Sequence, residues 1–289
     1  MRISSSAFAM LTVTVILSLA PPAQAAEKTE PERFRGEVYV RRGDDPLRAE
    51  VYVPPGKGPF PGVLVVHGGA WRTGNRFQMS GVCRTLVQAG YCSVTIDYRL
   101  APKHVFPAQI EDCKEALRWM RRSADRFRID PKRFAGYGYS AGGHLVALLG
   151  TTDPSHGLEG PGGKGNVPST RLQAVVAGGA PCDFSPLPAD NRHLAYWLGG
   201  TRSEKPDMYR LASPANFVSR DDPPMFFFHG QRDRLVPPSS PVKMVAKLKA
   251  SNIRAEHYVV SDGGHVATFL DKKAVGKAVG FLDSVLKKK

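Results

Sequence analysis

Hydrophobic patterning divides the chain into a short hairpin and a long strand–helix alternation. Glu37–Val40 and Arg48–Val53 read as two antiparallel strands joined by a turn at Gly43-Asp44-Asp45. A Gly/Pro segment, Pro54 to Pro61, follows. Gly62–Val66 is then a continuous apolar run, the pattern of a strand buried on both faces. Further strands are expected at Cys92–Ile96, Arg133–Tyr139, Leu172–Ala177, Met225–Phe228 and Glu256–Val260. Helices are expected at about Gln78–Ala89, Ala108–Met120, Ala141–Leu149, Pro241–Ala250 and Lys272–Leu286. Such alternation predicts an α/β fold, a mostly parallel sheet wrapped by helices with the hairpin added at one end. Two stretches interrupt it. Asp153 to Thr170 is Gly/Pro-rich and reads as a surface loop, and Asp183 to Arg220 delays the next strand. A long insertion at the carboxyl end of a strand is commonly a lid or substrate cap.

The N-terminus has a pattern of its own. Arg2 is the sole charge before Glu27, Ala7 to Ala20 is almost wholly apolar, and Pro21-Pro22-Ala23-Gln24-Ala25-Ala26 follows. A positive start, an apolar run and an Ala-x-Ala site predict a secretory signal peptide over residues 1–25. The run of roughly 14 residues is short of the about 20 that span a bilayer. The expectation is therefore a secreted or periplasmic protein, a single domain over 26–289 and no stable membrane insertion. Four cysteines, Cys83, Cys92, Cys113 and Cys182, could then pair in three ways or stay as buried thiols. The composition, 42% hydrophobic and 23% charged, is that of a folded globular chain and excludes a disordered one. A net charge of +14 bears on partners and solubility rather than on fold. Export, scattered Lys and Arg and the lack of a basic–aromatic motif argue against nucleic acid as a partner.

Three segments carry chemistry. Gly138-Tyr139-Ser140-Ala141-Gly142 lies between an expected strand and an expected helix and has the G-x-S-x-G form of a nucleophile elbow. There a strand turns sharply into a helix and holds the serine hydroxyl in the open, and small residues two before and two after let the chain pass close to itself. His67-Gly68-Gly69-Ala70-Trp71 follows the strand Gly62–Val66. Its glycines let backbone N–H groups approach an oxyanion, so the expected donors are those of Gly69, Ala70 and Ala141, with His67 orienting the loop. A serine nucleophile also needs a base, and the base an orienting carboxylate. Asp233 stands just past the strand Met225–Phe228 and His265 just past Glu256–Val260, each where ligands bind in open α/β sheets. Asp262 is the competing acid, but it is close to His265 in sequence. His229 is expected to pack, and His144 to lie one helical turn beyond Ser140. No histidine pair has metal-ligand spacing, and no cofactor is expected.

Together with Asp97-Tyr98-Arg99-Leu100-Ala101-Pro102, these blocks resemble the α/β-hydrolase superfamily. More narrowly, they are similar to esterases related to hormone-sensitive lipase and to bacterial feruloyl and acetyl-xylan esterases. The resemblance runs from about Arg48 to the C-terminus. It implies that Asp97–Pro102 supports the oxyanion loop and that the order Ser140, Asp233, His265 is a catalytic triad. It departs from the hormone-sensitive-lipase group in having Ala70 where a third glycine is usual and Tyr139 where an acid precedes the serine. Both departures favour the feruloyl/acetyl-xylan branch. The activity implied is hydrolysis of short acyl or aryl esters through an acyl-enzyme, with a small-molecule or polysaccharide ester as substrate. A prolyl-oligopeptidase-like peptidase would need a propeller that does not fit before Arg48. A non-catalytic binding protein would have no reason to keep all three triad residues.

Overall fold

In a computed structural model, residues 30–43 and 45–287 are described; the expected signal peptide and Asp44 of the expected turn lie outside them. The elements run β1 (Glu32–Arg42), β2 (Asp45–Val53), β3 (Phe60–Val66), α1 (Ser80–Gln88), β4 (Cys92–Ile96), α2 (Ala108–Arg122), β5 (Ile129–Tyr139) and α3 (Ala141–Thr151). They continue β6 (Ala174–Gly178), α4 (Ala195–Leu198), α5 (Pro206–Leu211), β7 (Met225–Gly230), α6 (Ser239–Ala250), β8 (Ala255–Val260), α7 (His265–Phe269) and α8 (Lys272–Leu286). The eight strands form one sheet in the order β1-β2-β4-β3-β5-β6-β7-β8. β1 pairs antiparallel with β2, and β2 antiparallel with β4. Every pairing from β4 through β8 is parallel. This is the α/β-hydrolase arrangement expected from the sequence.

β3 shows why its run is continuously apolar. Val63 and Val65 face a core built with Val82 and Leu86 of α1 and Ala278 and Leu282 of α8. Leu64 and Val66 face the opposite core, with Ile110 and Leu117 of α2 and Leu145 and Leu148 of α3. α3 is buried along its whole length, as expected of a helix apolar on every side. The chain leaves β3 towards β4, then crosses back to β5 on the other side of β3. The strand order thus reverses between β3 and β5, and a crevice opens there at the carboxyl ends.

The Gly/Pro-rich stretch 153–170 is a loop, but one tied down at its middle. Glu159 accepts from Lys114 Nζ at 2.6 Å and from Arg118 at 2.8 Å, both cations being wholly buried on α2. Burial pushes the Lys114 pKa down, and the Glu159 carboxylate opposes that shift. All four cysteines are buried free thiols, which decides the alternative left open by the sequence. Among the described residues no helix is long and apolar enough to cross a membrane.

Candidate active site

β5 delivers Ser140 and α3 begins at the next residue. The serine backbone sits at φ +56°, ψ −122°, a left-handed conformation that costs a non-glycine residue about 1–3 kcal/mol. The flanking glycines show what compels it. A Cβ on Gly138 would lie 2.2 Å from the carbonyl oxygen of Gly142, and one on Gly142 would lie 2.0 Å from that of Val66. The elbow therefore packs backbone against backbone and against the end of β3. Ser140 N–H donates to Gly178 O at 2.8 Å, which fixes the turn to β6.

Two turns aim the other groups at the serine. Asp233 follows β7, and its Oδ1 accepts the backbone N–H groups of Leu235 and Val236, each at 2.9 Å. That leaves Oδ2 to meet His265 Nδ1 at 2.6 Å. His265 opens α7, and its Nε2 lies 2.9 Å from Ser140 Oγ. Asp233 is 6% exposed, so its carboxylate acts on the imidazole with little water between. The competing Asp262 pairs instead with Arg232 at 2.5 Å in solvent and has no part in this chain. Serine, histidine and acid thus form one hydrogen-bonded relay drawn from the ends of β5, β8 and β7.

Two side chains have supporting contacts that the sequence did not foretell. His229 packs as expected, yet its Nε2 also lies 3.2 Å from Asp233 Oδ2 and 3.0 Å from Val236 O. Burial holds its pKa down, and the carbonyl of Val236 and the Asp233 carboxylate oppose that. Tyr139, adjacent to the serine, donates from its hydroxyl to His265 O at 2.5 Å and so pins the start of α7.

The His67–Trp71 loop is held from three sides. Gly69, Ala70 and Trp71 all have positive φ, at +110°, +50° and +58°. A Cβ on Gly69 would fall 2.1 Å from Thr73 O, so only glycine closes this turn. From below, the Asp97–Pro102 block supports it: Tyr98 stacks on His67 at 4.2 Å and donates to His67 O, and Ala101 N–H donates to Trp71 O at 2.9 Å. His67 is buried, with Nδ1 2.7 Å from Gly68 O. From behind, Trp71 Nε1–H donates to His144 Nδ1 at 3.2 Å, and the His144 Nε2–H donates to Ala212 O at 2.6 Å. Burial lowers the His144 pKa to about 4, so the ring is neutral and its tautomer is set by these two bonds. From above, the 183–220 insertion stacks Trp197 on Trp71 with centroids 3.7 Å apart, and the Tyr196 hydroxyl donates to Ala70 O at 2.7 Å.

A cavity of about 1080 Å³ opens over the relay. Ser140, His265, Ala70 and Ala141 form its floor; Gly69 does not line it. Ala141 is the first residue of α3, where an N–H has no intrahelical acceptor and the helix dipole favours negative charge. The insertion (Phe184, Leu187, Tyr196) makes one wall, and the turn after Asp233 together with α6 makes the other.

Residues 49–248 match the BD-FAE family. Esterase LipC of Mycobacterium tuberculosis (strain ATCC 25618 / H37Rv) is 35% identical over 279 residues, which is 89% of this chain and 68% of LipC. LipM of the same organism, described as a carboxylic ester hydrolase, is 35% identical over 188 residues, 62% of this chain and 43% of LipM. The chain thus spans about two thirds of one relative and less than half of the other. A truncated carbohydrate esterase from gut microbiota has the same fold, with a TM-score of 0.80 and 27% identity over 91% of this chain and 99% of that one. The chain therefore belongs to the BD-FAE family, α/β-hydrolases of the carboxylesterase type.

Proposed function

We infer that the chain hydrolyses esters by two-step acyl transfer, with Ser140 as nucleophile, His265 as general acid and base, and Asp233 as orienting acid. The observation that carries this is the relay from Asp233 Oδ2 to His265 Nδ1 at 2.6 Å and from His265 Nε2 to Ser140 Oγ at 2.9 Å. His265 takes the hydroxyl proton as Ser140 attacks the ester carbonyl. Asp233 holds the ring so that Nε2 faces the serine, and stabilises the imidazolium that forms. The backbone N–H groups of Ala70 and Ala141, and of Gly69 should the loop tighten on substrate, stabilise the oxyanion. His265 returns the proton to the departing alcohol. Water then repeats the sequence on the acyl-enzyme.

The substrate belongs to the small esters, including acetylated or feruloylated polysaccharides, rather than to long-chain lipids. Support comes from the carbohydrate esterase among its structural relatives and from the insertion. Tyr196 and Trp197 of that insertion are committed to the His67–Trp71 loop and so are not free to meet lipid. Export through the N-terminal segment accords with a polymer substrate outside the cell, and mass spectrometry of the mature N-terminus tests it: a start near Ala26 is expected. Activity is tested with 4-nitrophenyl esters from acetyl to decanoyl, beside acetylated and feruloylated xylan. kcat/KM should decline towards decanoyl, gradually, because each methylene contributes about 1–3 kcal/mol at most. Ser140→Ala should lose at least about 10⁴-fold while staying folded. A maximum at decanoyl with interfacial activation would make the protein a lipase, and undiminished hydrolysis by Ser140→Ala would remove the triad.

A further inference from the structure

The relay uses only the floor of the cavity, and the wall furthest from the insertion has a different chemistry. The turn that presents Asp233 continues as Arg234-Leu235-Val236-Pro237, and all four line the cavity. α6 follows and adds Ser239, Ser240, Lys243 and Lys247 to the same wall. Three cationic residues therefore line the space into which an ester must project. Neither Arg234 nor Lys243 has a carboxylate within ion-pair distance among the described residues, and Lys247 Nζ is bonded to a carbonyl, Ala215 O, at 2.7 Å. The lining holds one carboxylate, Asp183, against these three.

A second observation has the same sign. α6 is a helix of 12 residues whose N-terminal cap, Pro238, makes no side-chain capping bond, and its first residues, Ser239 and Ser240, line the cavity. The positive end of the helix dipole therefore lies in the wall that carries the cations. Such a wall favours an anion, and the planar guanidinium of Arg234 suits a carboxylate, which it can meet with two parallel N–H donors.

We propose that this wall, Arg234 with Lys243, Lys247 and the start of α6, is a subsite for a carboxylate carried by the ester substrate. The inference rests on the ester-hydrolase reading and narrows it to esters with an ionised acid a few bonds from the scissile carbonyl. In a polysaccharide this is an acyl group on or beside a uronic-acid residue; in a small ester it is the half-ester of a dicarboxylic acid. The first places the charge on the alcohol side, the second on the acyl side.

Two matched pairs of substrates test it and separate the two sides. Mono-4-nitrophenyl adipate against 4-nitrophenyl hexanoate places the carboxylate on the acyl side. 4-Acetoxybenzoate against 4-acetoxybenzamide places it on the alcohol side. The readout is the anionic-to-neutral ratio of kcat/KM in one pair, compared between wild type and the double variant Arg234→Gln/Lys243→Gln, so that intrinsic reactivity cancels. At low ionic strength the wild-type ratio should exceed that of the variant by about tenfold in at least one pair, as expected for two or three exposed charge contacts. At about 1 M salt, where the screening length is near 3 Å, the excess should shrink to within about twofold. Lys243→Glu should lower the ratio further than Lys243→Gln. A ratio that neither the double variant nor salt alters, in both pairs, overturns the subsite while hydrolysis of the neutral esters leaves the esterase reading standing. Failure of the wild type to hydrolyse any of the four overturns both.

Discussion

The two halves of the site are built in opposite ways. Ser140 and Asp233 are placed by their own turns: Gly138 and Gly142 force Ser140 into its conformation, and the N–H groups of Leu235 and Val236 hold Asp233. The His67–Trp71 loop, beyond the tight turn at Gly69, is held from far away in the chain, by Tyr98, His144, Tyr196 and Trp197. Local placement by backbone sterics has no soft mode, so damage to it should be nearly all-or-none. Placement by several remote side chains shares the burden, so each loss should be partial.

The largest expected effect tests the local half. Asp233→Asn should keep the fold and reduce kcat/KM on the order of 10⁴-fold, because the imidazole loses its tautomer and its counter-charge. Steady-state kinetics beside Asp262→Asn, which should stay within about twofold for an exposed pair, check the assignment. A mild Asp233→Asn with a damaging Asp262→Asn would move the acid to the other turn. Next comes Gly142→Ala, whose methyl would meet Val66 O at 2.0 Å. It should destabilise by about 3 kcal/mol, a fall of roughly 6–12 °C in Tm, and remove activity with it. Calorimetry reads this directly, and an unchanged Tm would show that the elbow is softer than its contacts imply.

The remote half should respond by degrees. His144 is buried and neutral, with its pKa lowered to about 4. Between its ordinary value near 6.5 and about 4 the unfolded chain binds a proton that the folded chain refuses. Stability is then complete above about pH 6.5 and falls as the pH drops towards 4, by about 3 kcal/mol from this group. His67 and His229, also held down by burial, act in the same direction. Urea midpoints at pH 7 and 4.5 should show the loss, and His144→Gln, which can still accept from Trp71 and donate to Ala212, should flatten it. The smallest effect belongs to Tyr196→Phe. Removing one hydrogen bond to Ala70 O should lower kcat about fivefold, with KM moving less. A loss as large as that of Asp233→Asn would mean that the loop, too, is set all-or-none.

The same division explains what could be read from the sequence. β4 and α8 begin and end where apolar periodicity places them, at Cys92–Ile96 and Lys272–Leu286. The elbow and the acid turn were legible because their sequence signals are local: Gly138 and Gly142 flank Ser140, and Asp233 is followed by the Leu235 and Val236 that hold it. α7 was not anticipated: its five residues, His265–Phe269, are too few to show a helical period. Nor was the bond from Tyr196 to Ala70, which joins residues 126 positions apart, since no local pattern specifies a partner at that distance. The insertion was expected to shape the substrate's environment. Phe184, Leu187 and Tyr196 of it do line the cavity, while Trp197 lies wholly buried, stacked on Trp71.

The four free thiols bear on how the chain matures. Cys83 and Cys182 have their pKa values pushed up to about 12 by burial, and Cys92 and Cys113 are raised by burial as well, so at neutral pH each is a protonated packing group rather than a reactive thiolate. Nothing in the described fold waits on an oxidant or a cross-link to become native. Refolding yield should be indifferent to dithiothreitol, and biosynthesis is free of any redox checkpoint on whichever side of a membrane the chain acquires its shape.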